Sequence, residues 1–179
     1  MLIEKTSIMD GQAVELAIRR ICFEIIERNR GVQDICLLGV LTRGAVLAQR
    51  MAQAIDKLEG SSLAVGSLDI TPFRDDRKGG EPVPDRSRVD FDFTGKKVIL
   101  VDDVLHTGRT IRAAIDAIMS RGRPRSIQLA VLIDRGHREL PIRADYIGRN
   151  VPTAKAEAIK LRLTPQDDCD KVVICDVQD

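Results

Sequence analysis

The sequence predicts an α/β fold: a mostly parallel central sheet flanked by helices, with a long flexible loop near mid-chain and a C-terminal hairpin. Two observations carry that expectation. Short apolar runs that suit buried strands alternate with longer stretches whose apolar residues recur every three or four positions, as in helices. The run ICLLGV (Ile35–Val40) also lacks any polar alternation, which suits a strand covered on both faces.

The elements follow in chain order. Asp10–Asn29 is an amphipathic helix, because Val14, Ala17, Ile18, Ile21 and Ile25 share a face and Gly31 follows the last turn. Ile35–Val40 is the first strand. Gly44–Leu58 is a second helix, with Leu47, Ala48, Met51, Ile55 and Leu58 on one side and Gly60 beyond it. Leu63–Ile70 alternates loosely as a strand. The composition then changes: TPFRDDRKGGEPVPDRSRVD (residues 71–90) holds three prolines, two adjacent glycines and ten charged residues. Such a stretch buries no face and is expected to be a long flexible loop over a site. Lys97–Val101 is a strand, and Thr110–Arg121 a helix whose face is Ile111, Ala114, Ile115 and Ile118. Ile127–Ile133 and the shorter Asp145–Gly148 are further strands. The tail, with Ile159, Leu161 and Leu163 and then Val172–Ile174, reads as the hairpin. No linker interrupts the series, so residues 1–179 are expected to form a single domain.

Composition excludes several function classes. Lys and Arg number 28 against 27 Asp and Glu, so no global basic field attracts nucleic acid and any such surface must be local. No apolar run approaches the ~20 residues that span a bilayer, and the N-terminus lacks a signal-peptide layout. Cys22, Cys36, Cys169 and Cys175 form no CxxC pair. Reduced thiols, a cytoplasmic location and no membrane partner are therefore expected.

The chemistry concentrates in VILVDDVLHTGRT (Val98–Thr110). A strand-end acid and a helix-capping threonine account for one acid and one hydroxyl, but not for a second acid beside a buried strand. A Walker A loop needs a lysine after its glycine, and Arg109 stands there. A dinucleotide-binding turn needs three glycines and finds only Gly108. Phospho-receiver domains carry ILVDD on their first strand, whereas a helix and two strands precede it here. What remains is a ligand with both phosphate and neutral hydroxyls. Backbone N–H groups of residues 106–110, with the Thr107 and Thr110 hydroxyls, suit a phosphate at a helix N-terminus. Asp102 and Asp103 suit sugar hydroxyls, since carboxylates only accept. A weaker echo, LLGVLTRG (Leu37–Gly44), predicts a second anion loop beside the first, outside the carboxyl ends of the strands.

VILVDDVLHTGRT resembles the phosphoribosyl pyrophosphate (PRPP) motif of type I phosphoribosyltransferases. ERNRG, GVLTRG, LDITPFRDD and SIQLAVLIDRGHRELPIRADYIGRNVPT extend the likeness from roughly Met9 to Val177. They resemble the branch of that family that joins uracil phosphoribosyltransferase activity to RNA-binding attenuation of pyrimidine genes. The resemblance implies the type I phosphoribosyltransferase fold and formation of UMP and pyrophosphate from uracil and PRPP. It implies Mg²⁺ brought by the substrate, with no direct protein ligand. Asp102 and Asp103 are then the catalytic acids on the ribose, with Arg74 from the 71–90 loop on pyrophosphate. Val101, Val104, Leu105, His106, Thr107, Gly108, Arg109 and Thr110 bind PRPP and its 5-phosphate. Thr42, Arg43 and Gly44 form the pyrophosphate loop, Arg43 supplying charge. Asp134, Arg135, Gly136, His137 and Arg138 face the base. Leader RNA falls to Arg19, Arg143, Arg149 and Lys155, with UMP or UTP as effectors and a homodimer or larger homo-oligomer as the assembly. Residues 135–162 carry seven basic against three acidic residues, net +4. Residues 167–179 carry five aspartates against one lysine, net −4. The alternative is a phosphoribosyltransferase for uracil or a purine base, without RNA binding. Two residues depart from the branch: His106 and Phe73 stand where tyrosines are usual.

Overall fold

The computed structural model describes residues 2–77 and 82–177. Its elements are β1 (Leu2–Met9), α1 (Gly11–Asn29), β2 (Ile35–Val40), α2 (Arg43–Glu59), β3 (Ala64–Leu68), β4 (Lys97–Leu105), α3 (Arg109–Met119), β5 (Ser126–Asp134), β6 (Tyr146–Asn150), β7 (Glu157–Arg162) and β8 (Lys171–Val177). Five strands make a parallel sheet in the order β3-β2-β4-β5-β6. The chain ends make a small antiparallel sheet, β1-β8-β7, so the expected tail hairpin is β7–β8.

Alternation along each buried strand divides the core in two. Leu37, Ile99, Ala130 and Leu132 pack on the side of α1 and α2, where Val14, Ile21, Leu47 and Met51 lie. Leu38, Val98, Leu100 and Val131 pack on the opposite side with Ile111, Ala114 and Ile118 of α3. All six residues of β2 are buried, as the unbroken apolar run requires.

Several boundaries differ from the expected ones. β4 does not stop at Val101 but runs through both acids to Leu105, because β5 keeps pairing with it: Asp102 lies opposite Val131 and Leu105 opposite Asp134. β1 was not foreseen, since six of its eight residues are exposed and its partner strand lies at the other end of the chain. α1 starts at Gly11, and Asp10 is its cap, accepting from Ala13 N at 2.8 Å. α2 starts one residue early, β3 is shorter than Leu63–Ile70, α3 ends two residues before Arg121, and β6 is shifted toward Asn150. The 71–90 stretch opens with a 3₁₀ turn (Thr71–Phe73) and returns at Arg88, which bridges to Ser67. Lys78–Glu81 lie outside the described residues. No described helix is long and apolar enough to cross a membrane.

Candidate active site

The carboxyl ends of β2, β3, β4 and β5 open on one edge of the parallel sheet, where ligands of such folds bind. Close packing joins the first two loops. A Cβ on Gly44 would stand 2.6 Å from the Val101 carbonyl oxygen and 3.3 Å from Asp102 Oδ1. Only glycine lets the start of α2 lie against the end of β4. The two anion loops expected from the sequence are thus brought side by side. The Leu41–Thr42 peptide between β2 and α2 is cis.

Asp102 is buried at 5% exposure, with Oδ1 accepting from Asp103 N at 2.9 Å. Burial first, and then the neighbouring Asp103 charge, hold its carboxyl well above the usual carboxylate range. Asp103 is half-buried and accepts from Val104 N at 2.7 Å. Val101 and Leu105 do not face the site: both are buried in the core, on opposite sides of the sheet, and Val104 packs against the α1–α2 side. Only their backbone is left to meet a ligand there.

Beyond β4 the chain turns through His106–Gly108 into α3. Gly108 adopts φ +95°, the left-handed region that suits glycine, and a Cβ there would lie 3.3 Å from Ile142 Cβ. Gly108 has no side chain with which to cap α3, and the Thr107 hydroxyl accepts from Arg109 N at 3.3 Å, so the dipole end of the helix faces this turn. Arg109 turns its guanidinium outward to Asp75 (2.7 Å) and Glu139 (2.8 Å). A hollow of about 170 Å³ lies here, lined by Arg74, Asp75, Asp76, Thr107, Arg109 and Thr110. Arg74 is therefore beside the phosphate turn, though its guanidinium is paired with Asp76. His106 is held below the usual imidazole range by burial and by the Arg135 and His137 charges.

In the loop expected to take pyrophosphate, Thr42 is exposed and Arg43, expected to supply charge, is itself paired. It forms a two-pronged pair with Asp167 at 2.9 and 3.1 Å. The DDCD turn between β7 and β8 therefore supplies a counter-ion 124 residues away.

The segment after β5 is tied to the protein itself. Arg135 is turned from the crevice: its buried guanidinium donates to Thr153 Oγ1 and to the Glu157 carbonyl of the terminal sheet. The side chain expected to face the base is thus engaged with Thr153 and Glu157. Its burial is tolerable only because those acceptors satisfy it. Arg138 donates to the carbonyls of Ile142 and His106, each at 2.8 Å, and pairs with Asp134. His137 sits 2.6 Å from the Thr153 carbonyl, which only accepts, so Nε2 carries the proton. Gly136 N donates to Asp134 Oδ1 at 3.0 Å.

The four residues expected to touch RNA are all exposed. Arg149 on β6 donates to the Ile8 carbonyl at 2.6 Å. Arg19 opens on a groove of about 450 Å³ between α1 and α2, shared with Arg50 and Lys57. Its neighbour Arg20 instead grips the Ile147 and Gly148 carbonyls of β6. Among the described residues no group of three or more His, Cys, Asp or Glu gathers as a metal site. The sequence reading missed Asp167, Thr153, Glu139 and Asp75, none of which carries a local motif.

A family model for the phosphoribosyl transferase domain matches residues 4–166. The chain is 54% identical over 177 residues to the bifunctional protein PyrR of Bacillus cereus, covering 97% of this chain and 98% of that one. The PyrR of Bacillus anthracis matches to the same extent. Among solved structures, a hypoxanthine-guanine phosphoribosyltransferase of Bacillus anthracis aligns with TM-score 0.74 at 17% identity, over 99% of this chain and 100% of that one. A hypoxanthine phosphoribosyltransferase of Trypanosoma cruzi aligns with TM-score 0.76 at 17% identity, over 96% and 95%. At that identity the solved structures speak to the fold alone.

Proposed function

The chain belongs to the phosphoribosyl transferase family and within it to the PyrR proteins, and from that premise we propose that it makes UMP and pyrophosphate from uracil and PRPP and also binds pyrimidine-gene leader RNA. The observation that carries the reading is 54% identity over nearly the full length to bifunctional PyrR proteins, joined to an intact pair of acids and a loop that turns on Gly108 into α3.

In this reading His106–Thr110 hold the 5-phosphate, largely through main-chain donors at the start of α3. Asp102 and Asp103 accept from the ribose hydroxyls. The acid pair fits a substrate that carries Mg²⁺: burial first, and then the neighbouring Asp103 charge, disfavour the anion at Asp102, and a cation brought with the substrate would offset both. Mg²⁺ brought with PRPP would supply positive charge against the pyrophosphate. The same acids then face the positive charge that develops on the sugar, so catalysis is positioning and electrostatics without a nucleophilic side chain. Thr42–Gly44 and Arg74 take the pyrophosphate; for that, Arg43 exchanges Asp167 and Arg74 exchanges Asp76 for the ligand. With Arg135 and Arg138 committed, uracil meets the Asp134 edge and the main chain of residues 134–138.

Arg143, Arg149, Lys155 and Arg19 serve the RNA through phosphate contacts, with UMP or UTP in the nucleotide site as effector. The protein works in the cytoplasm as a homodimer or larger assembly. The test has two arms. Purified protein with Mg·PRPP is offered uracil, hypoxanthine and guanine, and turnover of purines alone overturns the uracil assignment. The same protein is titrated with leader RNA at two salt concentrations, with and without UMP. Tight, salt-weakened binding that UMP strengthens is expected. Affinity no better than for an unrelated RNA leaves a phosphoribosyltransferase without a regulatory arm.

A further inference from the structure

We propose that Asp69 is a positioning residue for phosphoribosyl transfer, whose buried carboxylate joins residues 71 and 86 and so aims Arg74 at the phosphate turn. Asp69 is the first residue beyond β3 and only 5% exposed. A carboxylate that is buried without partners is costly, and stability alone favours an apolar residue there, such as its neighbour Ile70. The carboxylate is instead engaged by both ends of the segment that follows β3. Oδ1 accepts from the Thr71 N–H at 3.0 Å and the Thr71 hydroxyl at 2.6 Å. Oδ2 accepts from Arg86 N at 3.3 Å, and the Arg86 Nε lies 3.5 Å away. The Asp69 amide donates to Ser87 Oγ at 2.8 Å. Burial pushes this carboxyl up, but the Thr71 and Arg86 contacts outweigh it and bring it below the usual range, so it is an anion at neutral pH.

The outgoing arm is short. Two residues separate Thr71 from Arg74, and Arg112 of α3 holds the carbonyl of the second, Phe73, at 2.7 Å. Arg74 then lines the hollow with Thr107 and Thr110. On the returning side, Arg88 pairs with the β3 edge through two 2.9 Å hydrogen bonds to Ser67, and a Cβ on Gly66 would meet the Arg88 carbonyl at 2.9 Å. Asp69 is the point where both arms meet, and the pyrophosphate side of the reaction depends on where the first arm points.

The inference rests on the phosphoribosyltransferase reading, so PRPP affinity is measured calorimetrically with Mg²⁺ beside steady-state kinetics. Full-length Asp69→Ala, Asp69→Asn and Thr71→Val are compared. Asp69→Ala is expected to raise the KM and the Kd for PRPP by about tenfold, with the uracil KM within about twofold, as loss of alignment at one substrate end predicts. Asp69→Asn keeps an acceptor for Thr71 and recovers part of that loss, and Thr71→Val reproduces roughly a threefold share of it. Equal changes in both KM values, or PRPP affinity unchanged in all three variants, would overturn the proposal. Should Asp69→Ala not fold, the two milder variants decide by the same criterion. Absence of uracil turnover in the wild type counts against the enzyme reading, while PRPP affinity still reads Asp69.

Discussion

Residues 106–110 and residues 134–138 sit at the same edge of the parallel sheet, where β4 and β5 end, yet their side chains behave differently. The first stretch turns on Gly108 into α3, where the Thr107 hydroxyl accepts from Arg109 N, while its one long side chain, Arg109, leans out to Asp75 and Glu139. The second is bound into the protein by nearly every polar side chain it has: Asp134 to Arg138, Arg135 to Thr153, His137 to the Thr153 carbonyl. One wall offers main-chain donors to an anion. The other is a braced frame that holds a shape. They are also fastened together, since Arg138 reaches the His106 carbonyl and the Thr107 carbonyl accepts from Glu139 and Leu140 N–H. A flat base needs an edge in a fixed place and a phosphate needs inward-pointing donors, and the proposed function gives the base to the second wall and the phosphate to the first.

Substitutions can separate the walls. Gly44→Ala carries the largest expected effect, because a Cβ 2.6 Å from the Val101 carbonyl forces α2 away from β4 and opens the phosphate side. Turnover should fall by about a hundredfold through misalignment of order 1 Å, whereas Gly60→Ala, with open space around its Cβ, should keep the site. A Gly44→Ala enzyme with normal PRPP kinetics would show that the phosphate wall tolerates displacement. Arg138→Ala strikes the braced wall by removing its pair with Asp134 and two carbonyl bonds. The uracil KM should rise about tenfold and stability drop by about 2 kcal/mol, read by steady-state kinetics and denaturant unfolding. A larger effect on PRPP than on uracil would reverse the division of labour.

The smallest effect on activity is expected from Asp170→Asn, remote from both walls. Hydrogen bonding from Arg50 chiefly, with Thr164 adding and burial opposing, brings the Asp170 carboxyl down to about 2. A depressed folded value means that its stabilisation is present above the ordinary value of ~3.9 and is lost as pH falls through about 2. The variant should lose about 2 kcal/mol at neutral pH, converge on the wild type in acid, and change neither KM by more than about twofold. A constant difference down to low pH would mean that Asp170 works through packing instead of charge.

The comparison also explains what could be read in advance. The phosphate turn was legible because it is contiguous: strand, two acids, hydroxyl, glycine and hydroxyl stand within VILVDDVLHTGRT, and main-chain donors need no distant partner. The bracing of the other wall was not legible, since the partner of Arg135 is a threonine 18 residues on. Arg43 looked free because its counter-ion is Asp167, and Asp69 drew no notice because its donors flank a loop.

The sequence by itself determined the alternation of strands and helices, the doubly covered β2, the tail hairpin and the phosphate motif. All of these rest on periodicity or on neighbours a few residues apart. Only the tertiary structure decided that β4 continues through its acids, that β1 closes on β8, and where Arg43, Arg135 and Arg138 point. A long charged side chain has many rotamers of similar energy in the isolated segment. The partner that selects one arrives only when remote parts of the chain have packed.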